Sequence, residues 1–368
     1  MKRIFSAIIA ILAFSGVALA QGNYQMNIIT KSGKAIVIDG EDVVSVTFSK
    51  LPLVLEVASG ADLSAVLEGV EDDDVTLKLE AGGEYTVGGT IAPVKNLMFM
   101  GDEAAPATIT LNAGIQTVGS VTFKNVVIDA SAIKVPVIQM NALPKEGLNE
   151  VGACPIDGVV VENCEVKGLA YQFFYCNKQK YLLKEIKVEN SIFAIDGTNK
   201  KTIFDFNGGG GTENLTVNNS TFYANPSNAQ NGGFFSTQSG SKFKDQLGGT
   251  NWKHSLTNST FYNITYGKTV STLRENSQGW QVYEVKNCIV VNCGKKSQFV
   301  KGLNAGQNGR SENYDVDNNV FNFDGAVDAQ QGADGANNGS IDAVVEFADP
   351  ENGDFKQSTV TVGDPRWL

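Results

Sequence analysis

Through the middle of the chain, short runs alternate apolar and polar residues at period two, the signature of β-strands rather than helices. One phrase recurs: apolar, any residue, Asn, small, any residue, apolar. Its clearest copies are Val188-Glu189-Asn190-Ser191-Ile192-Phe193, Val217-Asn218-Asn219-Ser220-Thr221-Phe222 and Leu256-Thr257-Asn258-Ser259-Thr260-Phe261. Counting every copy, the Asn residues are Asn96, Asn125, Asn163, Asn190, Asn219, Asn258, Asn287 and Asn318, spaced 29, 38, 27, 29, 39, 29 and 31 residues apart. A recurrence of this length marks a solenoid of stacked units. Asn suits a tight bend between two strands, because it tolerates the left-handed backbone conformation and its amide can bond its counterpart one rung away. The residue three positions after each Asn then forms an inward stack: Phe99, Ile128, Val166, Phe193, Phe222, Phe261, Val290 and Phe321.

A third strand per repeat is legible as Val137-Ile138-Gln139-Met140, Phe173-Phe174-Tyr175-Cys176, Ile203-Phe204-Asp205-Phe206, Phe234-Phe235-Ser236-Thr237 and Thr272-Leu273-Arg274, several of them ending in a further Asn (Asn141, Asn177, Asn207). Three strands per repeat predict an all-β, right-handed, three-sheet parallel β-helix. The two long spacings arise from insertions near 142–157 and 239–252, just after the third strand, where they would wall a groove. Residues 60–70, with Leu63, Val66 and Leu67, suit a short helix capping the first coil, since a solenoid must cover its open ends. Residues 325–340 read as a loop and 341–368 as the closure of the far end. Short strands at Ile36-Val37-Ile38 and Val43 to Phe48 precede Pro52. The expected organisation is therefore 1–20 a signal peptide, 21–58 a small N-terminal β module and 59–368 the β-helix with its caps.

The signal peptide rests on Lys2 and Arg3, the apolar run Ile4 to Phe14 and the small-x-small site Ala18-Leu19-Ala20. It implies an exported protein, periplasmic or extracellular, and no further stretch is long and apolar enough to span a bilayer. The 368 residues carry 29 basic and 40 acidic side chains, a net charge of −11 that disfavours general nucleic-acid binding. The 39 Gly fit a fold with many turns. A single His, His254, excludes a catalytic zinc site built from several imidazoles, and no H-E-x-x-H or G-x-S-x-G motif is present. Five Cys is an odd number, so at least one thiol is free or pairs between chains; Cys154 with Cys164 is one conceivable pair, whereas Cys164 and Cys288 lie four coils apart and cannot bridge.

The strand ending in Glu80-Ala81-Gly82-Gly83-Glu84-Tyr85 resembles the opening coil of pectate-lyase-like β-helix proteins, and the Asn phrases resemble their stacked bends. The tail from Phe347 to Phe355, with Gly363-Asp364-Pro365-Arg366-Trp367, is similar to the ending of many secreted members. The best match is a domain-of-unknown-function branch with a pectin-lyase-like fold, secreted by Gram-negative glycan-degrading bacteria, and it covers roughly residues 60–368. This resemblance implies a polysaccharide, anionic in character, as partner, and either a polysaccharide lyase or a non-catalytic glycan-binding or structural surface protein. Lyases of this kind employ Arg or Lys, often with calcium held by Asp, so calcium is the cofactor the resemblance brings; no Asp cluster here matches the family's residue for residue.

Uronate elimination needs a base and a cation that neutralises the sugar carboxylate. Aligning the third strands on their last polar residue puts Gln139, Tyr175, Asp205, Ser236 and Arg274 in one outward row. Arg274, Asp205 and Lys268, just before the Arg274 strand, are the catalytic candidates; Tyr175 as a flat sugar platform, with Gln139 and Ser236, are the substrate-binding candidates. An outward polar row is equally what any β-helix surface displays. His254 falls at a position where sister repeats carry Val159, Ile186, Leu215 and Tyr283, and so reads as a core residue. From Lys242 to Arg310 ten basic residues face three acidic ones, which suits either contact with an anionic glycan or a solvated face. Asp72-Asp73-Asp74 reads as a turn, and the sequons at Asn219 and Asn258 are explained by the repeat.

Overall fold

The computed structural model describes residues 25–29, 35–39, 51–225, 232–236, 240–250, 252–265, 282–294, 314–328 and 339–368. The chain divides into two compact units, 1–51 and 52–368. In the first, Gln25–Ile29 pairs antiparallel with Ala35–Asp39. The proposed strand from Val43 to Phe48 lies outside the described residues. Leu53–Val57, expected with the N-terminal module, instead pairs in parallel with Asp74–Leu79 and is the first strand of the second unit.

That unit is nearly all β, built on two large parallel sheets of fourteen and ten strands among the described residues. Each repeat contributes one strand to the larger sheet, turns at its Asn, and contributes the next strand to the smaller one. Thus Tyr181–Glu189 leads through Asn190 to Ile192–Asp196, and Gly211–Asn218 through Asn219 to Thr221–Asn225. Successive repeats pair residue for residue: Val161 with Val188, Val188 with Val217, Val217 with Leu256, Leu256 with Val285. A one-residue slip would turn every apolar side chain outward, so the alternation enforces this register.

Seven of the eight Asn bends are left-handed, with φ between 46° and 56°. Asn96 is the exception. It lies within the strand Ile91–Met100, opposite Asp74 and Ser120, and Gly101 occupies the corresponding bend. A side chain at Gly101 would meet the Asn125 carbonyl oxygen at 2.2 Å, so only glycine lets the first coils approach there. Phe99 is accordingly not in the stack three residues after the bends. It sits in the larger sheet, stacked on Phe123 at 4.9 Å. The stack itself runs from Ile109 through Ile128, Val166, Phe193, Phe222, Phe261 and Val290 to Phe321. Phe222 is sandwiched between Phe193 at 4.5 Å and Phe261 at 5.8 Å and meets Phe234 edge-on at 5.2 Å.

The small residue after each bend forms a second internal ladder. The Cys164 amide donates to Ser191 Oγ, the Ser191 amide to Ser220 Oγ and the Ser220 amide to Ser259 Oγ, each at 3.1 Å; the Cys288 amide donates to Asn319 Oδ1 at 2.8 Å. All five cysteines are free and buried, which removes the Cys154–Cys164 pair; burial pushes the Cys164, Cys176, Cys288 and Cys293 thiols up to about 12, and they act as small apolar residues.

The third strands survive as short elements: Ile138–Met140, Phe174–Tyr175, Phe204–Asp205 and Phe235–Ser236. They branch from Ile115–Lys124, whose first half pairs with Ile138–Met140 and whose second half pairs with Cys154–Glu162. One continuous strand thus splits in two at the next repeat, because the 142–157 insertion separates its halves. Asn177 and Asn207 are left-handed bends as expected of them; Asn141 is not. The N-terminal end is covered by a short helix. The helix Leu63–Val66 buries Leu63, and the Asp62 carboxylate accepts from the Ser64 amide at 3.0 Å as its cap. The C-terminal tail runs back over the smaller sheet. Thr221 Oγ1 donates to Asp364 at 2.7 Å and accepts from the Trp367 indole at 2.8 Å, while Phe355 packs edge-on against Tyr223, Tyr262 and Trp367. Among the described residues no helix is long and apolar enough to cross a membrane.

His254 is a core residue, 1% exposed, paired in register with Leu215 and Tyr283. The Trp252 indole donates to its Nε2, and burial lowers its pKa to about 3. Asp364, also 1% exposed, is shifted upward by burial.

These features generate two expectations. Phe222→Ala is expected to cost about 3–5 kcal/mol, read from denaturant unfolding, because the residue is contacted from three sides and its void cannot collapse. The two buried titrating groups should act with opposite sign. A histidine depressed from 6.5 to about 3 loses stability as pH falls below 6.5. His254→Leu should therefore flatten the acid loss of stability. An aspartate raised on folding binds its proton more tightly in the native state. The stability of the wild type relative to Asp364→Asn should accordingly increase as pH falls from neutral toward the ordinary Asp range.

Candidate functional site

The four described members of the outward row stand on consecutive rungs. Gln139 is opposite Tyr175, Tyr175 opposite Asp205 and Asp205 opposite Ser236, so one polar side chain follows another at roughly 4.8 Å. The phenylalanine before each of Tyr175 and Asp205 points inward and fixes the outward aim of its neighbour. Arg274 and Lys268 lie outside the described residues, as does most of the basic stretch between them and Arg310.

Within the row the groups are bonded to one another. Asp205 Oδ1 accepts from Ser236 Oγ at 2.5 Å and from the Asn207 amide at 2.8 Å; Oδ2 accepts from Gln172 Nε2 at 3.4 Å. The Tyr175 hydroxyl donates to Asn177 Oδ1 at 3.2 Å and accepts from Asn207 Nδ2 at 3.0 Å. The left-handed bends at Asn177 and Asn207 therefore serve the row: each turns the chain at the strand end and brings its amide to the side chains of that strand. Gln172 is buried beneath Asp205, and its Oε1 has no partner. Sequence reasoning placed the row and missed Gln172, Asn177 and Asn207 as its supports, although the two Asn were visible as strand-ending residues.

The arrangement presents a carboxylate held by three donors and a fixed phenol on a half-exposed strip; Ser236, expected to face outward beside them, is instead buried, with its hydroxyl given to Asp205. Such a strip can bind sugar hydroxyls and hold charge. It does not look like a calcium cage, because the carboxylate's oxygens are already engaged and, among the described residues, no three Asp, Glu, Cys or His side chains cluster to hold a metal.

A second feature lies elsewhere. A groove of about 870 Å³ opens over the start of the larger sheet's strands, lined by Lys95, Asp157, Lys184 and Glu213 and walled by the 142–157 insertion at Pro144 and Glu146. The insertion was expected to wall the third-strand row; none of Gln139, Tyr175, Asp205 or Ser236 lines this groove. The two insertions are clasped together. Asn149 Nδ2 donates to the Leu247 carbonyl at 2.7 Å, at the end of the helix Gly240–Leu247, and the Thr250 amide donates to Glu213 at 2.9 Å. Asn149 also folds its own loop, accepting from the amides of Val151 and Ala153. A signal for the groove was present in the sequence: Asp157, Lys184 and Glu213 each stand six residues before a bend Asn.

A family model described as a domain of unknown function (DUF4957) matches residues 83–225. Among solved structures, the chain is similar to the PL6 family alginate lyase AlyGC at 14% identity and a TM-score of 0.35, covering 73% of this chain and 41% of that one. It is also similar to a point mutant of that enzyme, at 14% identity and a TM-score of 0.35, covering 86% of this chain and 47% of the other. The chain thus spans less than half the length of those structures. No curated protein matches the sequence.

Proposed function

We propose that this chain is an exported carbohydrate-active protein, a right-handed three-sheet parallel β-helix preceded by a signal peptide over 1–20 and a small β module over 21–58. In this reading it acts on an anionic, uronate-containing polysaccharide by β-elimination, in the periplasm or outside the cell. The observation that supports it is the in-register row of Gln139, Tyr175 and Asp205, which would lie along an extended glycan one rung at a time.

Elimination removes the proton beside the uronate carboxylate, breaks the bond to the glycosidic oxygen and returns a proton to that oxygen. Removing the first proton is easier when a cation neutralises the carboxylate. In this proposal Arg274 or Lys268 fills that role and the other of the two, in its unprotonated form, takes the proton; the freed electron pair forms the double bond as the bond to the glycosidic oxygen breaks, and the proton is handed to that oxygen. Asp205 orients the cation, and Tyr175 carries the sugar ring. No step passes through calcium.

A second reading follows from one observation. Asp205 already accepts from Ser236, Asn207 and Gln172, which suits a positioning group in a glycan-binding strip more than a free base.

The discriminating experiment incubates the protein with polygalacturonate and alginate, following both the ultraviolet absorbance of unsaturated uronate and retention on immobilised glycan. Lyase activity predicts rising absorbance, abolished in Arg274→Ala and reduced about tenfold or more in Tyr175→Ala. Retention without absorbance, weakened by Tyr175→Ala, would establish the binding reading. Neither signal would sink both and leave a structural surface role.

A further inference from the structure

We propose that the groove walled by the 142–157 insertion is a separate binding site for a neutral oligosaccharide, distinct from the third-strand row and independent of whether that row is catalytic.

Register sets the floor of the groove. Ile156 pairs with Leu183 and Gly158 with Glu185, which sets Asp157 opposite Lys184; Leu183 pairs with Thr212 and Glu185 with Asn214, which sets Lys184 opposite Glu213. Three exposed or half-exposed side chains of alternating charge therefore stand on consecutive rungs. On the next rung back the position belongs to Gly119, and before it to Lys95. A Cβ at Gly119 would lie 1.5 Å from the Lys95 carbonyl oxygen, so no side chain can stand there and the floor dips between Lys95 and Asp157. Gly158 is under the same constraint, its Cβ falling 1.8 Å from the Glu185 carbonyl oxygen. The floor is thus a ladder of charged groups interrupted by a depression.

The wall is built rather than draped. The insertion is rooted by Tyr181, whose hydroxyl donates to the Ala142 carbonyl at 3.4 Å, and is tied to the second insertion through Asn149 and Leu247. Both of the long departures from the repeat length converge on this place. A preorganised groove loses less free energy to ordering when a ligand enters.

The chemistry of the lining selects the ligand. Its volume is that of a site for a small molecule or a few sugar units. Lysines donate and carboxylates accept, while each sugar hydroxyl does both, so an alternating ladder can engage neighbouring hydroxyls along a chain that advances by close to one rung per sugar. Pro144, Val118 and Leu182 supply apolar surface for the C–H face of a pyranose. Four carboxylates (Asp73, Glu146, Asp157, Glu213) stand against two lysines in the lining. A polyuronate would set its own carboxylates against that excess, a repulsion that solvent reduces at these exposed and half-exposed side chains and does not abolish. An uncharged glycan meets no such penalty.

The test titrates the full chain by calorimetry with the neutral hexaoses of β-1,4-glucose, β-1,4-mannose and β-1,4-xylose, and with a galacturonate hexaose. At least one neutral hexaose should bind. Lys184→Ala and Asp157→Ala should each weaken it by about tenfold or more, since each removes a hydrogen bond to a charged group. Lys200→Ala, on an exposed turn away from the groove, should leave it unchanged, and thermal unfolding of each variant verifies folding. The proposal is overturned if none of the three neutral hexaoses binds, if binding survives both groove substitutions, or if the galacturonate hexaose alone binds there. The elimination assay reads the third-strand row separately, so either reading can fail while the other stands.

Discussion

Everything in the second unit depends on one constraint: each strand must lie in register on the strand one repeat earlier. Parallel pairing satisfies the backbone polar groups of every rung only through its neighbours, and the alternation of side chains makes a slip of one residue ruinous. The bend Asn meets this constraint at the point of greatest difficulty. It adopts the left-handed conformation at little cost, and its amide joins one rung to the next. Asn163 bonds Asn125, Asn287 bonds Asn258 and Asn318 bonds Asn287, at 3.1, 3.0 and 2.7 Å. The ladder is not uniform: Asn219 turns to Glu189, and Asn258 to Asn218. The serine ladder just inside continues without interruption across those same rungs, from Cys164 to Ser259.

Because the rungs are equivalent, function can reside only in departures from the repeat. The third strand supplies one kind of departure. Its half-exposed positions carry little core requirement, so Gln139, Tyr175 and Asp205 differ in chemistry while keeping equivalent places in the register. The insertions supply the other. A loop added between third strand and long strand leaves the register of both untouched, as Ile115–Lys124 and its divided successor demonstrate, and so a wall can be raised without disturbing the stack.

The cost of an irregular residue inside the stack is visible at His254. The position demands an apolar side chain, and the imidazole is accepted there because Trp252 donates to Nε2 and aromatic rings enclose it; Phe235 lies edge-on at 4.8 Å and Tyr283 at 5.3 Å. Its Nδ1 has no partner, a polar atom left dry within the core. The one histidine of the chain is therefore part of the packing and presents no atom to either candidate site.

The sequence by itself determined the periodic part of this protein: strands, bends and the inward stack from Ile128 to Phe321, since each follows from side-chain size and polarity repeated at a fixed interval. Where periodicity lapses, it misled. Asn96 looked like a bend and is mid-strand, because only the fit of Gly101 against Asn125 shows which residue turns the chain. Leu53–Val57 was grouped with the residues before it, because pairing partners 22 residues apart leave no local trace. Tertiary structure alone decided that the two insertions meet through Asn149 and Leu247, that Gln172 lies under Asp205 and Asn207 reaches back to Tyr175, and that Lys95 joins Asp157, Lys184 and Glu213 in one groove. These hydrogen bonds join residues 32 to 98 apart, and no local rule of propensity or alternation encodes them.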